Sequence, residues 1–445
     1  MIIFLLLLAT HFLILSRLSF TAWPEMFSYP YFLNQDFKLY QDIALPYEPL
    51  LPVLLSIIYK LFGYNLANLQ IITWITILVS DVLLFIILKK ILSGIKLFIP
   101  VVLYMILQSF AGGNLLWFDL ATVPFILAGF VCLLYLKGLR KFFWLGIFLS
   151  LAFLIKQQVG VSVALLIVYF VLTKSLSKLL PFFAGFVIPI LVTLVYILSN
   201  GTISQYLFWT VTVPIFWYPK FPGYTHWPTF KETVTLALLF GPILIYSLSL
   251  IKKINEEARI GLLLLLGAAV SAFPRFEFFR IQPAIALSLV VLGLIFPKKA
   301  SLQILLILPV IIVGLFLGKN ALQTQTTQAR FYAQGDLELA GHIKNMDNPV
   351  YLLGVSSLQY VLAGKTTPKP WIDNYIWYME IPGVAEQVLA GFEKNPPKVI
   401  LRQTSQPGNW FDLGTYQPKK IVDYISLHYD MKEILLGLEI WKRKN

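Results

Sequence analysis

Thirteen Lys and Arg residues stand in five clusters, each placed after one apolar run and before the next. They are Lys89, Lys90 and Lys96; Lys137, Arg140 and Lys141; Lys174 and Lys178; Lys252, Lys253 and Arg259; and Lys298 with Lys299. Every second loop carries such a cluster, and the loops between carry few cations. That alternation is the positive-inside pattern of a polytopic membrane protein. It sets both the number of crossings and their direction. Eleven spans follow, at 2–20, 66–88, 97–112, 115–136, 142–156, 158–173, 180–199, 233–251, 260–274, 281–297 and 301–318. The clusters put the N-terminus inside, and an odd count puts residues 319–445 outside.

Composition agrees with this reading. The chain is 58% hydrophobic and 13% charged, where a soluble domain has about 45–50% apolar and about 25% charged residues. The net charge of +13 equals the thirteen clustered cations. Those cations face anionic lipid headgroups, so the charge does not point to nucleic acid. Cys132 is the only cysteine, which rules out a disulfide within the chain and a cysteine-based metal site. The first apolar run begins at Met1 without a basic n-region or a small-residue cleavage site, and reads as a retained span, with a signal peptide as the alternative.

Two of the spans, 142–156 and 158–173, are short for a bilayer, which takes about 20 residues per helix. They meet at Lys156-Gln157-Gln158, which fits tilted or partly re-entrant helices. Three loops fall on the outer side: residues 21–65, 112–119 and 200–232. In the first, Pro49 to Phe62 reads as an apolar helix lying on the membrane surface. Residues 319–445 contain 14 Lys/Arg and 12 Asp/Glu, the balance of a soluble domain. Helices are expected at 328–346, 383–394 and 419–428, and strands at 350–355, 398–402 and 438–442, the last as an edge. The expected fold is therefore a polytopic all-α membrane domain over 1–318 with a small extracytoplasmic α/β domain over 319–445.

Chemistry is sought among the outer carboxylates and cations. Transfer of a sugar to a hydroxyl or amine needs a base for the acceptor proton, and a phosphate leaving group needs cations or a metal. The acids on the outer side are Glu25, Asp36, Asp42, Glu48 and Asp119, and the outer cations include Lys156, Arg275 and Arg280. Asp42 and Asp119 are also placed to cap helices, Glu48 precedes Pro49, and Arg275 or Arg280 has Glu277 as an ion-pair partner. Lys156 is a snorkelling residue or a phosphate contact, on the side opposite the inner clusters. Inside spans lie Asp81 and His11, each expected to bond polar neighbours, and His226 is expected to pack in its aromatic loop.

Short motifs follow one another along the chain: Trp23-Pro-Glu25, Tyr40-Gln-Asp42, Tyr47-Glu-Pro-Leu-Leu51 and Leu61-Phe-Gly63, then Asp119 before Pro124, Gly146 to Lys156, and Arg275 to Pro283. Their order resembles the GT-C membrane glycosyltransferases, in the branch of protein O-mannosyltransferases and aminoarabinose transferases. Glu25 stands where many relatives have Asp, and Asn34-Gln-Asp36 replaces a usual glycine, leaving Asp36 as a substitute acid or a solvated loop residue. The resemblance implies a sugar transferred from a polyprenyl-phosphate donor to a lipid, glycan or protein acceptor outside the cytoplasmic membrane. It implies Asp42, Glu25 and Asp119 as catalytic residues, Lys156, Arg275 and Arg280 at the donor phosphate, and Asp36, Tyr40 and Glu48 as further site residues. The cofactor stays unknown; a divalent cation is compatible, but no motif requires one. A lipid or polysaccharide transporter and an inactive scaffold of the same fold remain as alternatives. Transporters tend to carry charges in their spans and to show related halves, whereas here the acids cluster in outer loops and no halves repeat.

Overall fold

The computed structural model describes residues 1–326, 328–372, 376–403 and 415–444. In chain order the first helices are α1 (Ile2–Arg17), α2 (Glu25–Leu33), α3 (Leu50–Phe62), α4 (Leu66–Ile91), α5 (Ile95–Gln108) and α6 (Phe118–Tyr135). They are followed by α7 (Arg140–Phe153), α8 (Gly160–Leu172), α9 (Leu176–Ser199), α10 (Ile203–Leu207), α11 (Phe230–Ser249), α12 (Glu256–Val270), α13 (Gln282–Leu294) and α14 (Ala300–Gln323). The C-terminal part holds α15 (Gln334–Lys344), β1 (Val350–Leu353), α16 (Leu358–Ala363), α17 (Val384–Lys394), β2 (Val399–Gln403), α18 (Lys419–His428), β3 (Tyr429–Leu435) and β4 (Leu438–Arg443). A helix lies over each of the eleven expected intervals. Among the described residues, α4, α6, α9, α11 and α14 are long and apolar enough to cross a membrane by length and composition.

The chain divides into two compact units. Unit 1 comprises Met1–Thr21, Gln70–Val195 and His226–Thr327. Its centre is α13, in which every residue from Gln282 to Gly293 is buried. Around it pack α5, α6 and α12, and α12 also packs on α8. Small residues let some helices approach closely, as in membrane bundles. A Cβ on Gly146 of α7 would lie 2.1 Å from the Phe182 carbonyl oxygen of α9. Helix starts are capped where the sequence supplies a capping residue. Asn255 accepts the Ala258 N–H at 2.9 Å, and Thr229 and Glu232 form a capping box at the start of α11. Lys141 and Lys178 do not simply face lipid headgroups. They pair with Glu257 at 2.9 Å and Glu256 at 2.6 Å, so the starts of α7, α9 and α12 share one end of the unit.

Unit 2 comprises Ala22–Leu69, Tyr196–Thr225 and Gln328–Asn445. The C-terminal residues are thus grouped with two stretches expected as loops. The first stretch contains α2, a helix within an expected loop: Pro30 lies inside it, and eight of its nine residues are buried. The second contains α10 and a π-helical stretch from Phe208 to Trp217. The surface helix expected over 49–62 is α3, whose buried residues include Leu51, Leu55, Ser56 and Tyr59. The sheet has the order β1-β2-β4-β3, with β1 parallel to β2 and the other neighbours antiparallel. The expected edge strand at 438–442 is therefore internal. The edge on that side is β3, whose exposed positions mix Asp430, Lys432 and Glu433 with Met431 and Ile434. Leu436 and Gly437, at φ 50° and 80°, form the two-residue link that turns β3 into β4.

Candidate active site

In unit 1 the site is built on the first turn of α6 and the break between α7 and α8. Helix α7 ends at Phe153, and a short 3-10 turn over Gln157–Val159 precedes α8. The break brings Lys156 inward. Its Nζ lies 2.5 Å from Asp119 Oδ1 and 3.4 Å from the Ser271 carbonyl oxygen. Asp119 Oδ2 is buried and accepts no hydrogen bond. A buried carboxylate oxygen left open is costly unless something else meets it. Arg280 is close enough to act electrostatically on Lys156, and its guanidinium lies 5.5 Å from the Phe279 ring centroid. Arg275 pairs with Glu277 at 3.2 Å. The sequence candidates Asp119, Lys156 and Arg280 thus gather in one place, with Arg275 held in its own ion pair. The snorkelling alternative for Lys156 does not apply, because the whole residue is buried.

In unit 2 the candidate acids are spread along the chain from Glu25 to Glu48. Glu25 opens α2 and is buried at 2% exposure; an acid in the first turn suits the helix dipole. Asp36 is exposed, sits at φ 58°, and accepts a hydrogen bond from Lys369 Nζ through its carbonyl at 2.7 Å. Tyr40 is buried and held at φ 68°, an unusual conformation for a bulky residue. Its hydroxyl donates to the Tyr47 carbonyl at 3.1 Å. Asp42 Oδ2 accepts the Lys38 N–H at 2.9 Å and pairs with Lys369 at 3.1 Å. Asp42 lines a cavity of about 600 Å³ together with Gln41, Lys369, Gln387, Lys394 and Asn395.

Glu48 is buried, and the Tyr206 hydroxyl lies 3.1 Å from both of its carboxylate oxygens. Burial pushes its carboxyl up to about 7, against the opposing hydrogen bond from Tyr206. Tyr206 also packs edge-on against Tyr40, centroids 5.1 Å apart. Two partnerships escaped the sequence reading: Lys369 with Asp42, and Tyr206 with Glu48. Both join residues more than a hundred positions apart, and no local motif marks them. His226, expected in the loop packing, bridges by its backbone to Pro274 and Phe276. Among the described residues no group of three or more His, Cys, Asp or Glu side chains comes together as a metal site.

No protein-family model matches the chain, and no curated protein sequence does. Solved structures do. The crystal structure of ArnT from Cupriavidus metallidurans, bound to undecaprenyl phosphate, is similar over 99% of this chain and 97% of its own, at 10% identity and a TM-score of 0.57. The apo oligosaccharyltransferase of Archaeoglobus fulgidus is similar over 99% of this chain and 74% of its own, at 11% identity and a TM-score of 0.55. The chain shares the fold of these two structures.

Proposed function

We propose that this chain is a multi-pass membrane glycosyltransferase that moves a sugar from a polyprenyl-phosphate carrier to an acceptor on the outer side of the cytoplasmic membrane. The observation that carries this reading is the buried Asp119–Lys156 pair with its open Asp119 oxygen, in a chain of this fold. In the reaction a base takes the proton of the acceptor hydroxyl or amine. The freed lone pair attacks the sugar's anomeric carbon, and the bond from that carbon to the phosphate oxygen breaks. The polyprenyl phosphate departs with the bonding electrons. Lys156 and Arg280 supply positive charge for that leaving group, with Arg280 suited to a two-point grip and Lys156 to a point contact. Arg275 assists from its pair with Glu277. Among Asp119, Lys156, Arg275, Glu277 and Arg280 the formal charges sum to +1, which favours an anionic ligand in unit 1.

The base is assigned among Asp42, Glu25 and Asp119. Asp42 is the first candidate from its motif, and it borders a cavity; its carboxylate is already engaged by Lys369 and by a backbone N–H. Glu25 is the buried alternative in unit 2. Asp119 keeps an oxygen open and either orients the acceptor or takes its proton. Asp36, Tyr40 and Glu48 shape the segment that carries Asp42. The test is turnover of a polyprenyl-phosphate-linked sugar by the full chain in nanodiscs. Asp42→Asn is expected to lower turnover by on the order of 100-fold with its unfolding temperature unchanged. Full activity in that variant removes Asp42 as base and moves the assignment to Asp119 and Glu25, through Asp119→Asn and Glu25→Gln. Unchanged binding of a polyprenyl-phosphate analogue to both Lys156→Ala and Arg280→Ala would sink the donor assignment and favour a scaffold.

The orientation is proposed with the N-terminus inside and the C-terminal residues outside. The cation clusters support it, as do the Lys141–Glu257 and Lys178–Glu256 pairs at one end of unit 1. Reporter fusions after Lys90 and Lys141 are expected to read cytoplasmic, and a fusion after Gly318 external. A cytoplasmic reading after Gly318 would place the acids on the wrong side for this function.

A further inference from the structure

A group of buried polar side chains that the proposed reaction does not use meets inside the helices of unit 1. His11 comes from α1, Asp81 from α4, and Gln108 from the end of α5. His11 Nδ1 lies 2.7 Å from Asp81 Oδ2, and both side chains are fully buried. His11 Nε2 lies 3.1 Å from Gln108 Oε1 and 3.0 Å from Ser109 Oγ. An ionisable pair inside an apolar helix bundle is costly to bury, and such residues tend to be functional.

The network continues toward the start of α6. Gln108 Nε2 donates to the Gly113 carbonyl at 3.0 Å. Gln282, the first residue of α13, donates to the Gln108 and Ala111 carbonyls, each at 3.3 Å. These bonds grip the single π-helical turn Ser109–Gly113 from both sides. That turn departs from helical geometry at Ala111 (φ −84°, ψ 39°) and Gly112 (φ 67°, ψ 27°). The fit is close: a Cβ at Gly113 would lie 1.9 Å from the Gln108 carbonyl oxygen. Asn114 follows at once and ties the end of α1 down. Its Nδ2 donates to the carbonyls of Leu15, Leu18 and Ser19, and its Oδ1 accepts from Trp74 Nε1 at 3.0 Å. The chain then enters α6 at Phe118, one residue before Asp119.

We propose that His11 and Asp81 are positioning residues for Asp119. They fix Gln108, Gln108 fixes the π turn, and the turn sets the direction in which α6 begins. The consequence for turnover rests on the reading of Asp119 and Lys156 as the reacting cluster; the positioning itself does not. Interhelical polar contacts in membranes also serve as plain adhesive between helices, and the experiment separates the two roles.

The full chain is reconstituted in nanodiscs as wild type, His11→Phe, His11→Gln, Asp81→Asn and the control Ser247→Ala, a site whose hydroxyl bonds only within α11. Amide hydrogen exchange is followed along the chain, with kcat and KM measured on a polyprenyl-phosphate-linked sugar. His11→Phe is expected to raise exchange by about tenfold or more over residues 109–121. It should lower kcat by about 10- to 100-fold, the scale of a small misplacement at a reacting centre, with KM within about twofold. His11→Gln, which keeps a hydrogen-bonding group toward Gln108, should recover most of both effects, and Asp81→Asn should lie between. Exchange raised only in α1 and α4, with 109–121 unchanged, overturns the proposal and leaves the pair as adhesive. The predicted exchange change in His11→Phe, together with a wild-type chain that transfers no sugar, would support the positioning while sinking the proposed reaction.

Discussion

Each unit contains an Asp–Lys pair, and the two pairs differ in almost everything except chemistry. Asp119 and Lys156 have side-chain exposures of 0% and 2%. Asp42 and Lys369 have 14% and 44%. The first pair lies away from solvent, so each charge depends on the other. The second is wetted and shared: Lys369 also reaches the Asp36 carbonyl at 2.7 Å and lies 4.4 Å from the Phe37 ring centroid. A buried pair is costly to break and adds little net stability over an apolar pair, whereas an exposed pair is worth little in either sense. The buried pair is therefore hard to explain by stability alone and easier to explain by function. The exposed pair is well explained as a clip that holds the Phe37 to Asp42 segment.

The largest effect expected from this contrast is on stability. Lys156→Ala leaves the Asp119 carboxylate buried without its partner, and the cost is expected to be about 3–5 kcal/mol. Unfolding in detergent, followed by heat or denaturant, measures it. The double variant Asp119→Leu with Lys156→Met should recover most of that loss, because an apolar pair of similar volume replaces the charges. It should recover no turnover. A loss below about 1 kcal/mol in Lys156→Ala would mean that water reaches Asp119, and the contrast between the pairs would fail.

A middle-sized effect is expected at Glu48, which is buried like Asp119 but has a tyrosine hydroxyl in place of a cation. Its carboxyl is raised from 4.5 to about 7, chiefly by burial. The folded state therefore holds this proton more tightly than the unfolded state does. Stability from this group is complete below about 4.5 and is lost as pH rises through about 7, by on the order of 3 kcal/mol. Glu48→Gln keeps a group for Tyr206 to bond and cannot titrate. Its stability should be flat across that window and should exceed wild type at pH 8. Parallel pH profiles for the two proteins would show that Glu48 is ionised in the folded state, as an acid with a cationic partner would be.

What the sequence made legible was what short range decides. The Pro49 start and apolar face of α3 marked it over 49–62, and Lys156-Gln157-Gln158 marked the break between α7 and α8. Hydrophobic runs placed helices over all eleven intervals. Other features depended on partners distant in sequence. His11 and Asp81 each read as needing a polar partner, yet nothing in the chain says that they find each other across 70 positions. Helix α2 was hidden because Tyr29-Pro30-Tyr31 breaks a helical pattern, and burial of almost the whole element overrides that local preference. Strand β3 buries only Tyr429 fully and so shows no core face, and without β3 in view β4 reads as the edge. In the candidate site, residue types and order pointed to Asp119 and Lys156 separately. Their pairing, and the open oxygen beside it, came only with the tertiary fold.

The smallest effect is expected at the exposed pair, and it decides how Asp42 should be read. Lys369→Met keeps the length of the side chain and much of its packing over Phe37 while removing the charge. If the pair is a solvated clip, the loss is about 0.2–1 kcal/mol and shrinks further in high salt, since exposed pairs are screened. Asp42 keeps its hydrogen bond from the Lys38 N–H, so the segment should hold its shape. Turnover then separates two roles for the carboxylate. As a base, Asp42 is held back by its lysine, and freeing it in Lys369→Met should leave turnover unchanged or raise it severalfold while Asp42→Asn lowers it by on the order of 100-fold. As a purely structural acid, Asp42 should give small losses in both variants. A loss above about 2 kcal/mol in Lys369→Met would place this pair with the buried one, and the difference between the two units would have to be sought in shape rather than in solvent.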